Sequence, residues 1–121
     1  MAAGALLIAA QASAHTTFGE NRTYIHHLFR TYQDCRDAQH GGMGFNCDQT
    51  ISFSKDGTAL VMVTDIMSPA TYTIEGDQVI VKRAGPGDIP ESLFFKLDAT
   101  ERNLVSLQGR LEVWELKQPC E

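Results

Sequence analysis

Positive charge is scarce in this sequence: ten Lys and Arg stand against fifteen Asp and Glu in 121 residues, a formal net charge of -5. Nucleic-acid recognition draws on clustered cations that neutralise phosphates, so no DNA or RNA partner is expected. Long apolar runs are also missing, since a bilayer span takes roughly 20 consecutive residues and the longest run, Ala2 to Ala10, falls well short. There is no Gly-rich phosphate loop, no G-x-S-x-G elbow and no C-x-x-C pair, which removes the commonest signatures of nucleotide, acyl-transfer and thiol-redox chemistry. Ten Gly and four Pro are too few for a collagenous or low-complexity chain. One compact domain is the expectation.

Residues 1 to 14, MAAGALLIAAQASA, carry no charged side chain. An apolar stretch of this length followed by the small-x-small pattern Ala12-Ser13-Ala14 has the form of a secretory signal. Cleavage after Ala14 leaves His15 as the mature N-terminus, and a periplasmic or secreted product follows. Residues 15–121 then form a single domain.

Cysteine is sparse, with Cys35, Cys47 and Cys120 alone. In an oxidising compartment a disulfide is the default for two of them. Cys35 with Cys47 is the preferred pair, because it closes a short loop containing Gly41, Gly42 and Gly44, where a staple removes the most backbone freedom from the unfolded chain. Cys47 with Cys120 is the alternative, tying down a tail that otherwise frays. The sequon Asn21-Arg22-Thr23 bears on glycosylation only in a eukaryotic source.

From Arg22 to His40 there is no Gly or Pro, and Ile25, Leu28, Phe29, Tyr32 and Cys35 recur at helical spacing, predicting one N-terminal helix that stops at Gly41-Gly42. Tyr24 to Phe29 also alternates, which gives the alternative of an all-β barrel with residues 23–30 as a strand. Beyond Cys47 short apolar runs are divided by turn residues: Ile51 to Phe53, Thr58 to Thr64, Thr71 to Ile74, Gln78 to Lys82, Ser92 to Leu97, Leu104 to Leu107 and Leu111 to Leu116. Lys55-Asp56-Gly57 and Glu75-Gly76-Asp77 mark two hairpins. The fold class is therefore α+β and mainly β, an antiparallel meander of about seven strands with one N-terminal helix. Tyr72, Ile74, Val79, Val81, Leu93, Phe95, Leu97, Leu111, Val113 and Glu115 fall on what reads as one buried face.

The runs ISFSKDGTA, ATYTIEGDQVIVK, SLFFKLDATERNLVSL and RLEVWEL resemble small bacterial lipocalin-like (calycin-type) domains over Ile51 to Leu116. The shared features are the DGT turn, the Y-x-I-x-G-D-x-V hairpin, a strand ending in L-D and an aromatic-bearing closing strand. The G-x-W that opens such barrels is absent, so the resemblance implies either a barrel or a half-barrel. It further implies an extracytoplasmic, non-enzymatic binding or accessory module for a small apolar ligand or a protein partner, and it carries over no catalytic residue or cofactor.

All four histidines, His15, His26, His27 and His40, lie in the first third of the chain. An N-terminal His15 presents an amine and an imidazole together, a chelate suited to copper, so a periplasmic copper- or zinc-binding protein is the alternative function. The adjacent His26 and His27 point in different directions on either a helix or a strand. The carboxylate pairs Asp34 with Asp37 and Glu112 with Glu115 lack evident desolvation and read as solvated faces, and Cys35 reads as a disulfide partner rather than a nucleophile. Trp114, with Phe94 and Phe95, reads as core or pocket lining. The loop Ala84 to Pro90, with Pro86, Asp88 and Ile89, is the candidate partner-binding element, and an inhibitor of an extracellular enzyme acting through it is a third expectation.

Overall fold

A computed structural model describes residues 16–39, 46–64, 66–87, 89–109 and 111–117. Eight strands follow one another in chain order: β1 (Arg22–His27), β2 (Asp48–Phe53), β3 (Thr58–Met62), β4 (Ser68–Glu75), β5 (Gln78–Arg83), β6 (Ser92–Leu97), β7 (Asn103–Ser106) and β8 (Val113–Leu116). Each pairs antiparallel with its neighbours in sequence, and β8 returns to β1, closing the barrel. One short helix, α1 (Tyr32–Ala38), lies between β1 and β2. The seven strands expected after Cys47 are all present. The eighth is β1, and its pairing with both β2 and β8 makes the structure a complete barrel rather than a half.

The expected helix over Arg22 to His40 is thus corrected: its first third is a strand. Thr23, Tyr24 and Ile25 are β-branched or aromatic and fit a pleated surface, and β2 offers a six-residue ladder from Arg22 opposite Phe53 to His27 opposite Asp48. This pairing outweighs the helical spacing, and Leu28 and Tyr32, two residues of the supposed apolar stripe, are exposed. No Gly or Pro marks the strand-to-helix boundary. The helix starts instead at Thr31, whose hydroxyl accepts a hydrogen bond from the Asp34 N–H at 3.0 Å.

An eight-stranded barrel has an interior wide enough for side chains to fill or for one small ligand to enter. Here fourteen buried hydrophobic residues among those described make one contiguous core, from Tyr24 on β1 to Trp114 on β8. An aromatic cluster occupies one end. Phe53 lies 4.7 Å from Tyr72, 5.1 Å from Phe18 and 5.8 Å from Tyr24, ring centre to ring centre. Phe18 belongs to a segment that runs across this end, held by Thr16 accepting from the Ile74 N–H at 2.9 Å and by the Phe18 N–H donating to the Tyr72 hydroxyl at 3.2 Å. The Tyr24 hydroxyl donates to the Glu101 carbonyl at 2.7 Å, and burial pushes this phenol up so that it remains a donor. Arg22 pairs with Glu20 and Glu101 and covers the Phe18 ring at 4.5 Å.

Turn chemistry follows the sequence. Gly57 and Gly76 sit at φ 95° and 66° in the two hairpins that the sequence marked. The β6–β7 turn is held by Asp98, whose carboxylate accepts from the Asn103 amide at 2.8 Å and the Thr100 hydroxyl at 3.0 Å. These bonds, that from Asn103 foremost, hold its carboxyl below the usual range.

At the opposite end of the barrel the β5–β6 connection folds inward. Ile89 is buried in the core, its carbonyl accepts from the Arg83 guanidinium at 2.9 Å, and Gly87 lies against the fully buried Ser68. A Cβ on Gly87 would overlap the Ser68 hydroxyl and stand 2.8 Å from its Cβ. Gly87→Ala is therefore expected to destabilise the protein by about 1–3 kcal/mol through overpacking, read as a lower urea midpoint with an unchanged slope.

Trp114 and Leu116 face the interior of β8, whereas Leu111, Val113 and Glu115 face outward. This reverses the expected assignment for that strand. Leu104 of β7 stands opposite Trp114, fixing the inner face at the tryptophan, which is buried as expected, whereas Phe94, read with it as core or pocket lining, is exposed.

Candidate binding surfaces

The outward residues of β5 to β8 form an apolar field. Ile80 pairs with Phe94, the Leu107 N–H donates to the Phe94 carbonyl at 2.9 Å, and Val105 pairs with Val113. Phe94, Leu107, Leu111 and Val113 are 37, 43, 72 and 45 % exposed, so four large hydrophobic side chains, on β6, on β8 and in the connection between β7 and β8, meet solvent on one side of the barrel. The basic residues Lys82 and Lys96 lie on its β5–β6 side and the acidic Glu115 on its β8 side. Sequence reasoning missed this face because Leu111 and Val113 were read as core. The signal that identifies it is the buried Trp114, since period-two geometry turns both of its neighbours outward.

The expected disulfide is present: Cys35 and Cys47 are joined, with their Cα atoms 5.6 Å apart. Cys35 is the buried residue of α1, and Cys47 directly precedes β2, so the bridge anchors the helix to the barrel wall. Beside it a cleft of about 280 Å³ opens on the outside of the barrel, between the end of β1 and the start of α1. His27 Nδ1 lies 2.8 Å from Asp48 Oδ1 there. His26 takes the other direction, its Nδ1 3.0 Å from the Val113 carbonyl and its ring 5.3 Å from that of Trp114. The two histidines therefore diverge, as their adjacency implied.

Of the candidate partner-binding loop, Pro86 is exposed, Ile89 is buried in the core and Asp88 lies outside the described residues. A buried Ile89 caps the barrel and is closed to a partner. His15, His40, Cys120 and the leader 1–14 also lie outside the described residues. Among the described residues no group of three or more His, Cys, Asp or Glu is placed to hold a metal ion. Asp34 and Asp37 stand on the exposed side of α1, where Gln33 donates to Asp37 at 2.8 Å. Glu112 is 3.9 Å from His26, and Glu115 is on the outer face, so neither carboxylate pair converges. No described helix is long and apolar enough to cross a membrane. Compared with known protein families, curated proteins and solved structures, the chain matches none.

Proposed function

We propose that the chain is an exported, non-enzymatic accessory module of lipocalin-like type that binds a protein partner on the outer face of β5 to β8. The observation that carries this reading is the inversion of β8, which turns Trp114 into the core and places Leu111 and Val113 in solvent beside Phe94 and Leu107. An exposed apolar field of this kind is a common mark of an interaction site. The disulfide and the leader-like segment 1–14 support an extracytoplasmic setting.

The test compares the wild-type chain with a Phe94→Ser/Leu111→Ser variant, each recovered from the compartment of its native source and analysed for bound protein and for organic-extractable molecules. The expected result is one protein held in fixed proportion by the wild type and reduced roughly tenfold or more by the variant, as for interface residues that each contribute above 1 kcal/mol. Circular dichroism unchanged between the two confirms that the fold is retained. A stoichiometric apolar small molecule, or partner retention indifferent to the substitutions, overturns the reading.

A further inference from the structure

The cleft beside the disulfide combines groups of opposite charge with an apolar wall, and nothing in the proposed partner binding uses it. Its lining includes His27, Phe29, Arg30, Thr31, Tyr32 and Asp48. The contact between His27 Nδ1 and Asp48 Oδ1 is a hydrogen bond to an acceptor, so the Nδ1 proton is directed at the carboxylate. Asp48 is left with a second carboxylate oxygen. Arg30 is exposed and forms no ion pair among the described residues. Thr31 Oγ1 accepts from the Asp34 N–H and keeps its own proton to donate. Tyr32 is 71 % exposed, and the Arg36 guanidinium stands 6.0 Å from its ring centre.

A purely anionic ligand entering here is drawn to Arg30 and repelled by Asp48, and a purely cationic one meets the reverse. A ligand bearing both charges satisfies both residues at once, and an apolar substituent finds the rings of Phe29 and Tyr32. We propose that this cleft binds a free α-amino acid with an apolar side chain. Its carboxylate lies on Arg30 and the Thr31 hydroxyl, and its ammonium lies on Asp48. His27 is a positioning residue that fixes the Asp48 carboxylate.

The experiment titrates the full, disulfide-bonded chain with L-leucine, N-acetyl-L-leucine and L-leucinamide, following the Thr31 amide and the His27 ring by NMR, with Trp114 as an internal control of the fold. The expected result is saturable shifts with millimolar leucine. Each of the two blocked compounds, having lost one charge-assisted contact, binds at least roughly tenfold more weakly. Arg30→Ala and Asp48→Asn weaken leucine to a similar degree while the Trp114 signal stays in place. Absence of saturable shifts with leucine overturns the proposal. Equal binding of N-acetyl-L-leucine makes the cleft a simple anion site, and equal binding of L-leucinamide a simple cation site, and either result overturns it too. Partner binding at the β5 to β8 face is measured separately and stands or falls without this result.

Discussion

Phe53→Ala is expected to destabilise the barrel by about 3–5 kcal/mol, the range for truncating a fully buried phenylalanine. Its side chain is 1 % exposed and meets three other rings, those of Phe18, Tyr24 and Tyr72. The cavity it leaves lies between strands whose backbones are fixed by ladders on both sides, Phe53 itself being paired with Arg22 and Ala59. Collapse into that space is therefore restricted, and the cost should fall towards the upper end of the range. Set against a typical domain stability of about 5–15 kcal/mol, such a loss leaves a large unfolded fraction at ambient temperature. Urea unfolding followed by Trp114 fluorescence measures it. Phe53→Leu, which retains most of the volume, should recover more than half of the loss, and equal midpoints for the Ala and Leu variants would rule out the packing account.

The second large effect concerns the disulfide. Replacing both Cys35 and Cys47 by Ser releases a loop of about a dozen residues, and loop-closure entropy puts the cost at roughly 3 kcal/mol. The loss is expected to be concentrated in α1. A seven-residue helix is far below the length that sustains itself in water, and Cys35 is its one buried residue. The Thr31 cap contributes about 1 kcal/mol, too little to hold it alone. Amide exchange should show Cys35 and Gln39, which are protected by bonds to Thr31 and Cys35 carbonyls, becoming unprotected in the double variant. The β4–β5 ladder, remote from the bridge, should keep its protection below the global transition. Uniform loss of protection across the barrel would show that the bridge stabilises the whole fold rather than this corner.

How far the sequence determines the structure differs from element to element. The hairpins were legible because Gly57 and Gly76 perform local backbone tasks that do not depend on distant residues. The disulfide was legible for a similar reason, as its two cysteines are near neighbours along the chain. Residues 22–27 were ambiguous because Ile25, Leu28 and Phe29 satisfy the helical period while Tyr24 to Phe29 satisfies the strand period. The deciding term was the ladder offered by β2, a partner more than twenty residues away. In β8 the apolar residues on both parities, Val113 against Trp114, gave a local pattern with two solutions. Leu104 across the ladder selects between them. The cleft was opaque for a different reason: Arg30, Thr31 and Tyr32 are unexceptional in sequence and acquire meaning only when the turn into α1 brings them beside Asp48.

Barrel closure has a kinetic consequence. Every ladder but one joins strands that are consecutive in the chain, so each forms across a turn or a modest loop and costs little chain entropy. The β1–β8 seam is the exception, pairing Tyr24 with Leu116 and Ile25 with Glu115 across nearly the whole described chain, with the Lys117 N–H donating to Thr23 beyond them. Contacts of such separation slow folding. The meander is thus expected to assemble progressively as an open, curling sheet, with Tyr24 and Leu116 meeting last and the seam being the line along which the native barrel first reopens.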